Sequence, residues 1–167
     1  MEDTKMDGKL RMMTALYLTN GERILLLYRI GSKIADHSYI GCAGGHFESH
    51  EYNDARACVL RELYEETGLS EDALENLTLR YVTLRLKNGE IRENYYFFAA
   101  LKNPAQQLSS SEGTLRWVSL QEIDDLPMPV SAAYMLRHYR AQGRYDTHLY
   151  GGITEADGIR FAPMTEF

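Results

Sequence analysis

The stretch Arg61-Glu62-Leu63-Tyr64-Glu65-Glu66-Thr67-Gly68-Leu69 places three carboxylates three and four residues apart. On an α-helix such residues are neighbours, and at ~100° per residue Glu62, Glu65 and Glu66 fall within one arc of about 100°. Like charges at these spacings each oppose the helix by roughly a few tenths of a kcal/mol. Glu65 and Glu66 also sit in the last turn before Gly68, where an anion opposes the helix dipole by roughly 0.3–1 kcal/mol. A divalent cation would remove both penalties, and a cluster of hard oxygen donors suits Mg²⁺ or Mn²⁺. The ordinary alternative is a solvated acidic face, and helix physics alone does not choose between the two.

The elements that would position these groups are readable in outline. Residues 9–19 alternate weakly and lead to Asn20-Gly21, a hairpin signal. Residues 22–30 read as a buried strand. Residues 31–50 hold Gly31, Gly41, Gly44 and Gly45 and read as a long loop with a strand near 39–43; loops of that length are usually functional. A helix is expected over 53–67, N-capped by Asn53 or Asp54, with Gly68 as its C′ glycine. Val59 and Leu63 lie beside the acidic arc and can face a core. Strands are expected over 78–87 and 91–101 around Asn88-Gly89, and over 115–120 around Trp117. An amphipathic helix is expected over 130–142, with Met135, Leu136 and Tyr139 packing inward. A third hairpin is expected around Asp157-Gly158. Strands mixed with two helices give an α+β or α/β pattern.

The run Gly44-Gly45-His46-Phe47-Glu48, then Glu51, then Arg61-Glu62-Leu63-Tyr64-Glu65-Glu66-Thr67-Gly68-Leu69 resembles the signature of the Nudix hydrolase family, the MutT-like nucleoside diphosphate-X diphosphatases. The family pattern is G-x5-E-x7-R-E-U-x-E-E-x-G-U, with U a bulky aliphatic residue. The second half fits every fixed position, and Gly45 and Glu51 fit the first. One departure stands out: nine residues separate Glu51 from Arg61 where the pattern has seven. A two-residue insertion near 50–53 accounts for it and leaves the part Glu51 plays open.

The resemblance implies an α/β/α sandwich, a mixed sheet flanked by helices, over roughly 9–143, preceded by a flexible tail (1–8) and followed by a C-terminal extension (144–167). It implies Mg²⁺-dependent cleavage of the pyrophosphate bond in a nucleoside diphosphate linked to another moiety. Nucleoside triphosphates, oxidised ones included, are the preferred substrates, with ADP-ribose or a dinucleoside polyphosphate as alternatives. Glu62, Glu65 and Glu66 would hold the metal, with a Gly44 backbone carbonyl and Glu112 as further ligands. Glu62 would be the general base, Arg61 would orient a glutamate, and Glu112 is a second catalytic candidate. Arg29, Gly45 and His46 would meet the substrate, although His46 suits a structural hydrogen bond equally well. Homodimers are common in the family. Two other readings compete: a non-catalytic nucleotide sensor, and a related isomerase that would use a reactive cysteine near Cys42.

Composition narrows the remaining classes. The chain has 167 residues, 44% hydrophobic and 25% charged, which fits one ordinary globular domain. Its net charge is -6, and it has no Lys/Arg run of the kind that tracks a nucleic-acid backbone. The longest apolar runs, 24–28 and 95–101, fall far short of the ~20 residues of a membrane span. Cys42 and Cys58, the two cysteines, have fifteen residues between them, neither metal nor disulfide spacing. The expectation is a cytoplasmic protein with a small-molecule nucleotide substrate and no nucleic-acid or membrane partner.

Overall fold

The computed structural model describes residues 8–31 and 37–167; all but the last residue of the expected tail over 1–8, and the part of the long loop over 32–36, lie outside them. The elements are β1 (Lys9–Asn20), β2 (Arg23–Arg29), β3 (Ser38–Gly41), α1 (Ala55–Thr67), β4 (Leu74–Lys87), β5 (Glu90–Leu101), β6 (Thr114–Ser119), α2 (Val130–Ala141), β7 (Tyr150–Glu155) and β8 (Gly158–Pro163). All eight strands join one mixed sheet in the order β3-β2-β1-β5-β4-β7-β8, with β6 on β2. β1 pairs with β5, and β4 with β7, in parallel.

Strand alternation sends successive side chains to opposite faces, and here both faces are covered. Leu16, Leu18, Phe97 and Ala99 pack with Val59 and Leu63 of α1. Tyr17, Tyr96 and Phe98 pack with Met135 and Leu136 of α2, and Tyr139 stacks on Phe98 with ring centroids 4.2 Å apart. The aromatic run 95–98 is therefore divided between two cores, as expected of a strand inside an α/β/α sandwich. Trp117 packs partly against the α1-side core.

Turn chemistry holds at the second hairpin, where Asn88 and Gly89 both take positive φ (53° and 74°), as a type I′ turn requires. At the third hairpin Glu155 pairs with Gly158, so the turn residues are Ala156-Asp157, one position earlier than expected. β7 lies along β4, so this hairpin extends the main sheet.

The cleft arises because β2 changes partners. Its first residues pair with β1 (Leu18 with Leu25) and its last with β3 (Leu26 with Gly41). The freed edge of β1 is taken by residues 42–47: Leu16 N–H donates to the Ala43 carbonyl (2.7 Å), Thr14 N–H to that of Gly45 (2.9 Å) and Phe47 N–H to that of Met12 (3.2 Å). The glycine turn is thus fixed along β1. No helix among the described residues is long and apolar enough to cross a membrane.

Candidate active site

Helix α1 begins at Ala55 rather than 53. Asp54 is its N-cap, accepting from Ala57 N–H at 2.9 Å, and Gly68 (φ 76°) closes it by donating to the Tyr64 carbonyl at 2.9 Å. The two extra residues are absorbed just before the cap. Ser49–Glu51 form a single 3₁₀ turn, locked by Glu48 N–H donating to Glu51 Oε2 at 3.0 Å.

That turn delivers Glu51 to Arg61 despite the altered spacing. Glu51 is 1% exposed; its carboxylate accepts from Arg61 Nε at 2.6 Å and Nη2 at 3.1 Å. These bonds hold its carboxyl down at about 2. The same guanidinium reaches Glu62 (2.9 Å), Glu65 (3.1 Å) and the His46 carbonyl (3.0 Å).

Glu66 has a different environment. Burial, then the charges of Glu62 and Glu112, push its carboxyl up to about 8. Its nearest donor is Gly44 N–H at 3.4 Å, too far to offset that charge. Two glycines leave space for these groups. A Cβ on Gly45 would overlap the Glu62 carboxylate, and Gly44 (φ 149°) runs so close to the backbone of Thr14 and Ala15 that a Cβ would collide with it. The Gly45 carbonyl accepts from Thr14 N–H at 2.9 Å. Replacing Gly45 by Ala should displace Glu62 and lower kcat about tenfold or more with folding retained, as steady-state kinetics beside a thermal melt would show.

Glu112 sits on a tight loop whose Ser111 N–H donates to the Glu66 carbonyl at 2.9 Å. Glu112 in turn binds Arg29 Nη2 at 2.9 Å, so two residues 83 apart in sequence form one ion pair at the cleft. His46 accepts from Arg11 Nε at 2.8 Å, and burial with the Arg11 charge lowers its pKa; it is a neutral acceptor with a structural hydrogen bond.

Of the expected residues, Arg29, Gly44, Gly45, His46, Glu62, Glu66 and Glu112 line one cavity of about 470 Å³. Glu65 does not; it is 54% exposed and turned to Arg61, and Arg61 lies behind the carboxylates. Arg11, Arg85, Arg92, Asn94 and Tyr96 also line the cavity and were missed. One signal for them exists: Arg85 and Arg92 stand symmetrically about Asn88-Gly89, which sets them opposite each other. Cys42 and Cys58 are 1% and 0% exposed, and burial pushes both thiols up to about 12, which ill suits a nucleophile.

Three carboxylates around a glycine turn are a donor set for a hard divalent cation. A half-buried acid destabilised by its like-charged neighbours fits that reading, because the ion would supply the missing positive charge. Among the described residues, the trio of acid or His groups whose candidate ligand atoms lie within 4.8 Å of one another is instead Glu48, His50 and Glu51. There Arg61 already neutralises Glu51, so that trio fits a cation less well.

Comparison with known proteins agrees with this architecture. Residues 9–139 match the model of the NUDIX domain. The mutator MutT protein of Bacillus halodurans superposes with a TM-score of 0.62 at 21% identity, over 93% of this chain and 99% of that one. An Ap4A hydrolase of C. elegans gives 0.61 at 20% identity, over 79% and 97%. The ORF135 protein of E. coli gives 0.62 at 22% identity, over 80% and 90%. At such identities these likenesses speak for the fold. Among curated proteins no match is found. The family match over most of the length, together with the glycine turn and the acidic helix it faces, shows that the chain belongs to the Nudix hydrolase family.

Proposed function

We propose that the protein hydrolyses the pyrophosphate bond of a nucleoside diphosphate linked to another moiety, in a Mg²⁺-dependent reaction, with a nucleoside triphosphate, oxidised forms included, as the preferred class. The observation that carries this is Glu66, a half-buried carboxylate raised to about 8 beside Glu62 and Glu112 at one end of a cleft of about 470 Å³. Mg²⁺ bound there would neutralise phosphate oxygens and lower the pKa of a bound water.

Glu62 and Glu66, the Gly44 carbonyl and Glu112 would hold the metal, with Glu65 at the periphery. Glu62 takes the proton of the attacking water; Arg61 orients it through the 2.9 Å bond. Arg29, paired with Glu112 at 2.9 Å, would meet a substrate phosphate, and Glu112 would then be available as a metal ligand. Both cysteines are free thiols, in keeping with a reducing cytoplasm.

The test is a Mg²⁺-dependent product-release assay over dNTPs, 8-oxo-dGTP, ADP-ribose and a dinucleoside tetraphosphate. Turnover of one class, abolished by EDTA, supports the reading and sets the substrate. Tight nucleotide binding with no turnover of any member overturns it in favour of a nucleotide sensor.

A further inference from the structure

β1, β5 and β4 are adjacent, and their register sets Arg11 opposite Arg92 and Arg92 opposite Arg85. The three arginines form one cross-strand row on the α2 side of the sheet, and all three line the active-site cleft. Like charges directly opposite one another destabilise a sheet, and this chain carries more acidic than basic residues overall, 24 against 18. Nearby carboxylates do little to offset the row. Arg92 has Glu90 at 3.7 Å, while its Nε is buried with no hydrogen-bond partner. Arg11 Nε donates to the His46 ring nitrogen at 2.8 Å, not to a carboxylate.

Two further observations give the row a direction and a sign. Arg11, bonded to His46 beside Gly45, lies at the glycine-turn end. Arg92 and Arg85 step away from it by one and two strands, so β4 stands about 10 Å from β1 at ~4.8 Å per strand. The first turn of α2 meets the same cleft through Pro129, Ser131 and Ala132. Its N-cap is Pro129, which provides no side-chain acceptor, and its first turn holds no acidic residue. The N–H groups at that end suit an anion.

We infer that the row Arg11-Arg92-Arg85, with the N-terminus of α2, is a second anion subsite, built for phosphate groups the substrate carries beyond the pyrophosphate that is cleaved. This deepens the hydrolase reading and relies on it only for where cleavage occurs. The substrate class it selects bears extra phosphate, either as a longer polyphosphate chain or as a phosphate ester on the second moiety. A neutral or apolar second moiety would leave three cations facing one another.

The test uses two readouts. First, calorimetry with sodium tripolyphosphate in EDTA compares the whole protein with Arg85→Gln and Arg92→Gln. Wild type should bind with an affinity that falls as salt rises, and each variant should bind about tenfold more weakly, the loss of one charge-assisted contact. Second, kcat/KM is measured for two substrate pairs: diadenosine tetraphosphate against diadenosine diphosphate, and ADP-ribose 2′-phosphate against ADP-ribose. The preference for the more phosphorylated member should fall about tenfold in the variants. A response in the first pair alone identifies a chain, and in the second alone an ester. The variants' melting temperatures should hold or rise, since like-charge repulsion is relieved. Tripolyphosphate binding unchanged by either substitution overturns the subsite, even if nucleotides are cleaved. Arginine-dependent binding without any cleavage would instead leave the subsite standing and remove the hydrolase reading.

Discussion

Replacing Glu66 by Gln is expected to lower kcat by a factor on the order of 10³ and, without metal, to make the protein more stable at pH 8. The two effects share a cause. Burial and the charges of Glu62 and Glu112 raise the Glu66 carboxyl from 4.5 to about 8, so the folded state holds that proton more tightly than the unfolded chain does. Stability from this group is therefore fullest below about pH 4.5, falls as pH rises, and reaches its low plateau above about pH 8. Glutamine keeps the shape and removes the charge. The gain at pH 8 should be on the order of 1–2 kcal/mol, after discounting for the solvent that reaches this side chain. Mg²⁺ should reverse the ranking: it stabilises wild type more at pH 8 than at pH 5, because proton and cation compete for one carboxylate, and it should barely move the variant. Thermal melts at both pH values with and without Mg²⁺, beside single-substrate kinetics, decide the matter. A variant with wild-type kcat, or a Mg²⁺ response that survives the substitution, would remove Glu66 from the metal site.

What could be read from the chain was what is local. Asp54 and Gly68 bracket α1, and Asn88-Gly89 fixes the β4–β5 register, because caps and two-residue turns are decided within a few residues. The acidic arc was equally local, yet its orientation was not. Glu62, Glu65 and Glu66 occupy one arc, and only the docking of Val59 and Leu63 against the sheet selects Glu62 and Glu66 for the cleft and leaves Glu65 to solvent. Long-range pairings were out of reach. Arg29 meets Glu112 only because β2 and β6 are neighbours in the sheet. Arg11 joins Arg92 only because β1 and β5 run parallel, a pairing no turn announces. The insertion before α1 misled in its own way. Counting residues puts Glu51 out of phase, whereas the 3₁₀ turn at Ser49–Glu51 takes up the extra length and restores its reach to Arg61.

That restored contact should carry the second large effect. Arg61→Gln is expected to lose about 2–3 kcal/mol of stability at pH 7 and 10–100-fold in kcat. One guanidinium ties the glycine loop, through the His46 carbonyl and Glu51, to the α1 face, through Glu62 and Glu65. Breaking a fully buried ion pair costs about 3–5 kcal/mol; Arg61 is 20% exposed while Glu51 is 1% exposed, so part of that penalty is screened. Linkage gives the stability loss a signature. Glu51 is depressed to about 2, so its contribution is present above the ordinary carboxylate value of 4.5 and is lost as pH falls toward 2. The gap between wild type and Arg61→Gln should therefore be widest near neutrality, narrow as pH falls below about 4.5 and be mostly closed only near pH 2, as urea midpoints across that range would reveal. Arg61→Lys separates the two duties. Lysine keeps a charge for Glu51 but lacks the planar fork that spans Glu51 and Glu62 together. It should recover much of the stability while kcat stays low and KM changes little if, as proposed, Arg61 positions the base Glu62 and does not bind substrate. A lysine variant that restores kcat along with stability would show that charge alone suffices, and Glu62 would then owe its orientation to Gly45 and the helix rather than to Arg61.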